Sequence, residues 1–248
     1  MSFMDQNPMQ GWRRRNMPVM DYESSAGNPA IATFFNAVYG WMAAGLALTA
    51  VTSWLVYQNR AAVYPVLGGA GIWILFIAEL ALVWAISAAI YRISASTATI
   101  LFLLYAAING VVLSAIFAIY THASIFTAFV TTAAMFGAMS VYGMFTRTDL
   151  SRLGNILFMA LIGLVLATVI NIFLRSPELY WICSYAGVVI FCGLTAWDTQ
   201  RLRYLAVSTS NDANMAARLA ISGALALYLD FLNLFLFLLQ IMNDNRQR

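Results

Sequence analysis

Seven stretches of this chain are long and apolar enough to cross a lipid bilayer, and no other feature limits the fold so strongly. A hydrocarbon core takes about 20 helical residues at about 1.5 Å each. The stretches lie near residues 31–56, 65–90, 97–119, 123–145, 153–174, 179–200 and 217–241. Short polar breaks separate them: Gln58-Asn59-Arg60, Tyr91-Arg92, Tyr120-Thr121-His122, Thr146 to Arg152, Arg175 to Glu178 and, longest, Arg201 to Asn214. The apolar residues run contiguously rather than at amphipathic spacing. Only 9% of the 248 residues are charged, against about a quarter in soluble domains, too few to solvate a globular surface of this size. The expected fold class is all-α: one polytopic membrane domain of seven transmembrane helices over residues 31–248, behind an N-terminal tail (1–30) read as disordered and cytoplasmic.

The 13 basic residues are all arginine, and their distribution sets the expected orientation. With the N-terminus inside, the inner segments hold Arg13, Arg14, Arg15, Arg92, Arg147, Arg152, Arg201, Arg203 and Arg218. The outer segments hold Arg60, Arg175, Arg246 and Arg248. Seven spans then place the C-terminus outside, unless one span is a re-entrant hairpin. The Trp12–Arg15 patch reads as a topology anchor, and no basic patch with interleaved aromatics points to nucleic acid. Asn16 to Asn28 lacks the apolar core of a signal peptide. Cys183 and Cys192 sit in one apolar run at a spacing that fits no metal or redox motif, so they read as buried small residues. His122, in a short break, has no second ligand nearby. Gly40, Gly45, Gly68, Gly69, Gly71, Gly137 and Gly143 read as places of close helix packing.

Three acids lie inside the apolar runs, at about 2.5–3.5 kcal/mol each on insertion scales, and they are the candidate functional groups: Glu79, Asp198 and Asp230. At 100° per residue Ser222, Ala226, Asp230, Asn233, Phe237 and Gln240 form one narrow stripe on the last helix, which should face the bundle interior. Asp198 lies about 30 Å of helix from Glu178, at the inner boundary. It has two candidate partners, Arg201 on its own helix and Arg92 at the same depth. Asp230 reaches Asp198 only if the last helix starts well inside the cytoplasm or a water-filled vestibule cuts inward. Meeting there, the two carboxylates would favour a shared proton and act as a pH switch. Fully ionised, they would be a site for a hard cation such as Ca²⁺, with Asn233 adding an oxygen. The chain has no HExxH, GxSxG, phosphate loop, Cys/His pair or Gly-x-Gly-Asp motif, so no enzymatic activity and no cofactor are expected.

Leu227-Tyr228-Leu229-Asp230-Phe231-Leu232-Asn233-Leu234-Phe235-Leu236-Phe237-Leu238-Leu239 resembles the C-terminal signature of the Bax inhibitor-1 (transmembrane Bax inhibitor motif) family, bacterial branch. Ala196-Trp197-Asp198-Thr199-Gln200 is similar to its sixth-helix aspartate segment and Ile77-Ala78-Glu79-Leu80 to its second-helix glutamate. Asn109-Gly110 and Thr148-Asp149-Leu150-Ser151 match weaker segments in the same order. The resemblance spans about residues 31–241. It implies a last helix wrapped by the other six and a pH-dependent Ca²⁺ leak in the inner (plasma) membrane. In that reading Asp198 and Asp230 share the sensing proton and Arg92, offset from the family's arginine when spacing is counted from Glu79, latches the sixth helix. Family members often carry an arginine ten residues after the last-helix aspartate as partner for the glutamate. Here Gln240 stands there, leaving Glu79 either protonated or paired with Gln240. The alternative function is a non-transporting regulator that binds other membrane proteins, such as a membrane protease or quality-control complex. The expected partners are the lipid bilayer, the calcium ion and, for the alternative, a membrane protein.

Overall fold

The computed structural model describes residues 29–67 and 69–244. Over these residues the chain forms nine helices: α1 (Pro29–Gln58), α2 (Arg60–Leu67), α3 (Ala70–Ala89), α4 (Ala95–Leu113), α5 (Ile116–Ile119), α6 (His122–Phe145), α7 (Ser151–Leu174), α8 (Pro177–Ser208) and α9 (Ala213–Asp244). Six spans are long and apolar enough to cross a membrane, with α4 and α5 counted as one, and Trp73–Ala89 of α3 is the shorter apolar seventh. Helices pair every backbone N–H and C=O within one segment, which lipid demands. The seven crossings leave Pro29 and Asp244 at opposite ends of the bundle. The expected tail, with its Trp12–Arg15 patch, lies almost wholly outside the described residues, as do Gly68, Arg246 and Arg248.

Three boundaries differ from the run pattern. The second run is divided at Gly69, whose φ of 62° is easy only for glycine, so the crossing begins at Ala70. His122 is the first residue of α6 rather than part of a loop. Thr121 caps that helix by accepting the Ser124 N–H at 3.1 Å. The third difference governs the site. The long break read over Arg201 to Asn214 is mostly helix, because α8 continues to Ser208 and α9 starts at Ala213. Leu202 and Ala206 are 4% and 2% exposed, so the polar residues there decorate one face of an amphipathic extension.

α9 is the centre of the bundle. It touches α8, α1, α6 and α4, and Leu227, Tyr228 and Leu234 are fully buried. α7, by contrast, packs on α8 and otherwise faces outward. Small residues set the approach of some pairs and not others. A Cβ at Gly143 would collide with the Ala196 carbonyl, whereas around Gly40, Gly69 and Gly137 nothing lies within 4 Å. Gly143→Val is therefore expected to lower stability by about 1–3 kcal/mol through overpacking. Gly137→Val should stay within about 0.5 kcal/mol. Thermal unfolding of both variants in detergent measures the difference, and equal losses would contradict this packing.

Candidate functional site: a carboxylate pair between the last two helices

Asp198 lies ten residues, about 15 Å, before the end of α8, and Asp230 lies 17 residues, about 26 Å, after the start of α9. Both helices extend well past the carboxylates at the Pro29 end, and a cavity enters there. The Asp198 and Asp230 side chains are within hydrogen-bonding reach of each other. Asp230 is 4% exposed and its Oδ2 is buried without a hydrogen-bond partner. Asp198 forms part of the wall of the cavity, which measures about 260 Å³ and lies between α3, α8 and α9. Ser87, Tyr91, Arg201, Ser222 and Ala226 also line it. The pair thus stands between a polar vestibule and the packed core.

Beyond the pair, toward the Asp244 end, the α8/α9 seam is closed by rings. Phe237 fills the space over Gly187 and stacks on Phe191 with centroids 5.9 Å apart. Phe237 also lines a second cavity of about 150 Å³, together with Thr168, Asn171, Asn233 and Gln240 among others. The seam therefore holds the polar vestibule, the carboxylate pair and, toward the Asp244 end, an aromatic contact that borders the second cavity.

The cation beside Asp198 is Arg201, at 3.9 Å, with its guanidinium over the Trp197 ring at 5.6 Å. One helical turn separates Asp198 and Arg201, which is a natural ion-pair spacing. Arg92, the latch implied by resemblance, is exposed in the turn after α3 and forms no ion pair with Asp198. Asn233 does not join the pair either. Its Nδ2 donates to the Leu229 carbonyl at 2.8 Å and it faces the second cavity. The predicted stripe is thus divided: Ser222 and Ala226 belong to the vestibule, Asn233 and Gln240 to the far side.

Glu79 belongs to another cluster. Tyr228 and Asp230 are two residues apart and so point about 200° apart around α9. On the Tyr228 flank, the Tyr228 hydroxyl donates to Thr49 Oγ1 at 2.6 Å, and Thr49 donates to the Ala106 carbonyl at 2.9 Å. Asn109 stands beside Glu79 and donates to Tyr105 Oη at 3.3 Å. Glu79 Oε1 is buried without a partner. Gln240, the partner in one of the two readings of Glu79, instead accepts from Ser184 at 3.1 Å.

The sequence reading passed over one important side chain. Gln200, 2% exposed, donates through Nε2 to the Thr148 carbonyl and accepts the Leu150 N–H through Oε1, both at 2.8 Å. It ties the α6–α7 loop to α8 two residues from Asp198. In that loop the Ser151 backbone N–H holds the Asp149 carboxyl below its ordinary range. The available signal was a side-chain amide at the end of one apolar run and, about 50 residues earlier, a polar break over Thr146 to Arg152 whose backbone groups needed partners.

Residues 31–247 match the family described as "Inhibitor of apoptosis-promoting Bax1". The chain is 50% identical over 220 residues to the inner membrane protein YbhL of Escherichia coli, covering 87% of this chain and 93% of that one. It is 46% identical over 215 residues to a protein of Deinococcus radiodurans, covering 86% and 91%. It is also 38% identical over 221 residues to a membrane protein of Streptococcus pyogenes, covering 86% and 93%. With seven apolar helices, the last of them central, and an aspartate pair where the family signatures fall, this chain belongs to the Bax inhibitor-1 family.

Proposed function

We propose that this protein is an inner-membrane leak for hard cations, Ca²⁺ first among them, gated by proton occupancy of the Asp198/Asp230 pair and performing no catalysis. The observation that carries the reading is the contact between two carboxyls at the inner end of a polar vestibule. Two carboxyls in contact hold together while one carries a proton and repel when neither does. Proton occupancy thereby biases the spacing of α8 and α9. When both are ionised they offer oxygens to a cation entering the vestibule. Ca²⁺ takes about 6–8 oxygens in a resident site, and among the described residues no three His, Cys, Asp or Glu side chains come together. A cation there would be held loosely, which suits passage rather than storage. Arg201, rather than Arg92, takes the part of the latch on Asp198. The excess of arginine at the Pro29 end supports a cytoplasmic N-terminus, and the name of the Escherichia coli relative supports the inner membrane.

The test is Ca²⁺ flux into liposomes, across mildly acidic to mildly alkaline pH, for wild type and for Asp198→Asn with Asp230→Asn. Wild type is expected to pass Ca²⁺ at a pH-dependent rate and the double variant to lose the dependence. The same pH profile in both would refute the gate.

A further inference from the structure

The lip of the vestibule is basic. Arg201, 60% exposed, lines the cavity. Arg218, on α9 one turn before the lining residue Ser222, stands at the rim, where its Nη1 donates to the Tyr91 carbonyl at 3.3 Å. Tyr91 lines the same cavity, and the exposed Arg92 is the next residue. Three arginines therefore gather where α3, α8 and α9 open at the Pro29 end, and the carboxylate lining the cavity, Asp198, lies one turn deeper than Arg201. An arginine has five N–H donors. Arg201 uses its own in one long contact of 3.9 Å with Asp198, and Arg218 in one bond to a backbone carbonyl. Most of the donor capacity at the lip is thus available to a ligand, and the hydroxyls of Ser87 and Ser222 face the same space.

From this arrangement we infer that the vestibule lip is a binding site for a phosphate-bearing anion, with Arg201 and Arg218 as its clamp and Arg92 as the third charge. The planar guanidinium fork matches phosphate oxygens two at a time, the geometry for which arginine is favoured over lysine. The cavity, about 260 Å³, falls below the range of about 300–1,000 Å³ typical of larger ligands. It has room for a phosphate group. The same group can come from a lipid headgroup at the membrane boundary or from free phosphate in solution. Asp198 opposes the anion, so the anion competes with it for Arg201. Occupancy draws Arg201 outward and leaves Asp198 to Asp230. The site stands whether or not the chain passes cations.

The test uses the full chain in a maltoside detergent, which has no phosphate of its own. Inorganic phosphate and a short-chain phosphatidylglycerol are titrated separately, with thermal unfolding and tryptophan emission as readouts. Trp197 lies under Arg201 and reports on the guanidinium. Saturable binding of either probe is expected, weakened about tenfold or more by Arg201→Gln and by Arg218→Gln. Arg201→Lys should recover only part of the loss, because it keeps the charge without the fork. Arg152→Gln, at the same end but on α7, and Arg60→Gln, at the other end, should bind as wild type. Binding of phosphatidylglycerol alone assigns the headgroup as source, and binding of both assigns the phosphate group itself. Absence of saturable binding, or equal loss in the Arg152 and Arg60 variants, would overturn the site. The substituted side chains are exposed or half-buried, so the variants are expected to remain monodisperse, which gel filtration checks.

Discussion

Gln200→Leu is expected to cost about 2–4 kcal/mol of stability, among the largest losses available from a single side chain here. The leucine is nearly isosteric but can neither accept from Leu150 nor donate to Thr148. Each orphaned buried backbone group costs about 1–3 kcal/mol. Leu150 is 4% exposed, so its N–H finds no water, whereas the Thr148 carbonyl lies nearer the surface and recovers part of its loss. For a chain of this size the unfolding midpoint in detergent should fall by about 4–16 °C. The loop over residues 146–150 should also become the first site of proteolytic nicking. Gln200→Glu separates the two bonds, since it keeps the acceptor for Leu150 and sets a carboxylate against the Thr148 carbonyl. If both variants unfold with wild type, the amide is not what holds the loop to α8.

The same residue illustrates how far the sequence could be read. Spans are legible because lipid forces any long apolar run into a helix that satisfies itself. Those runs located seven crossings, and the polar stripe correctly put Asp230 inside. How the helices sit against one another is not written in any one run. The meeting of Asp198 and Asp230 depends on α8 and α9 both extending past the boundary at the Pro29 end. The arginines and asparagines over residues 201–214 disguised that extension as a loop. Burial of Leu202 and Ala206 shows the amphipathic pattern that overruled them.

Partner choice was less legible than position. Arg92 and Asp198 read as sharing a depth, but Arg201, one turn on along the same helix, is the cation that meets Asp198, and Arg92 stays exposed in the turn after α3. Glu79 was read against the residue that replaces a family arginine. Its neighbour proved to be Asn109 on α4, because α3 packs on α4. Asn233 sits on the correct stripe, but its amide bonds the carbonyl one turn back, a local option that spacing cannot rule out. Gly143 and Gly137 look alike in sequence, six residues apart on α6. Only the first meets another helix.

Phe237→Ala is expected to raise Ca²⁺ flux about tenfold or more without abolishing its pH dependence. The ring lies seven residues, about 10 Å, beyond Asp230 along α9. It fills the space over Gly187, stacks on Phe191 and borders the second cavity. An apolar constriction of this kind gates by keeping water out. Removing the ring opens the seam between the carboxylate pair and the second cavity, and a barrier lowered by only about 1.4 kcal/mol accounts for a tenfold rate. The pH response should persist, because the carboxylates are untouched and still set the spacing of α8 and α9 upstream of the ring. Loss of packing should remain at or below about 3 kcal/mol, the lower figure for a Phe→Ala change, since the ring is half-buried. Phe173→Ala is the control: that ring is 82% exposed on the outer face of α7, so the same truncation should alter neither flux nor stability. A folded Phe237→Ala protein with wild-type flux would mean that ions do not travel along the α8/α9 seam. The carboxylate pair would then have to act on a route elsewhere in the bundle.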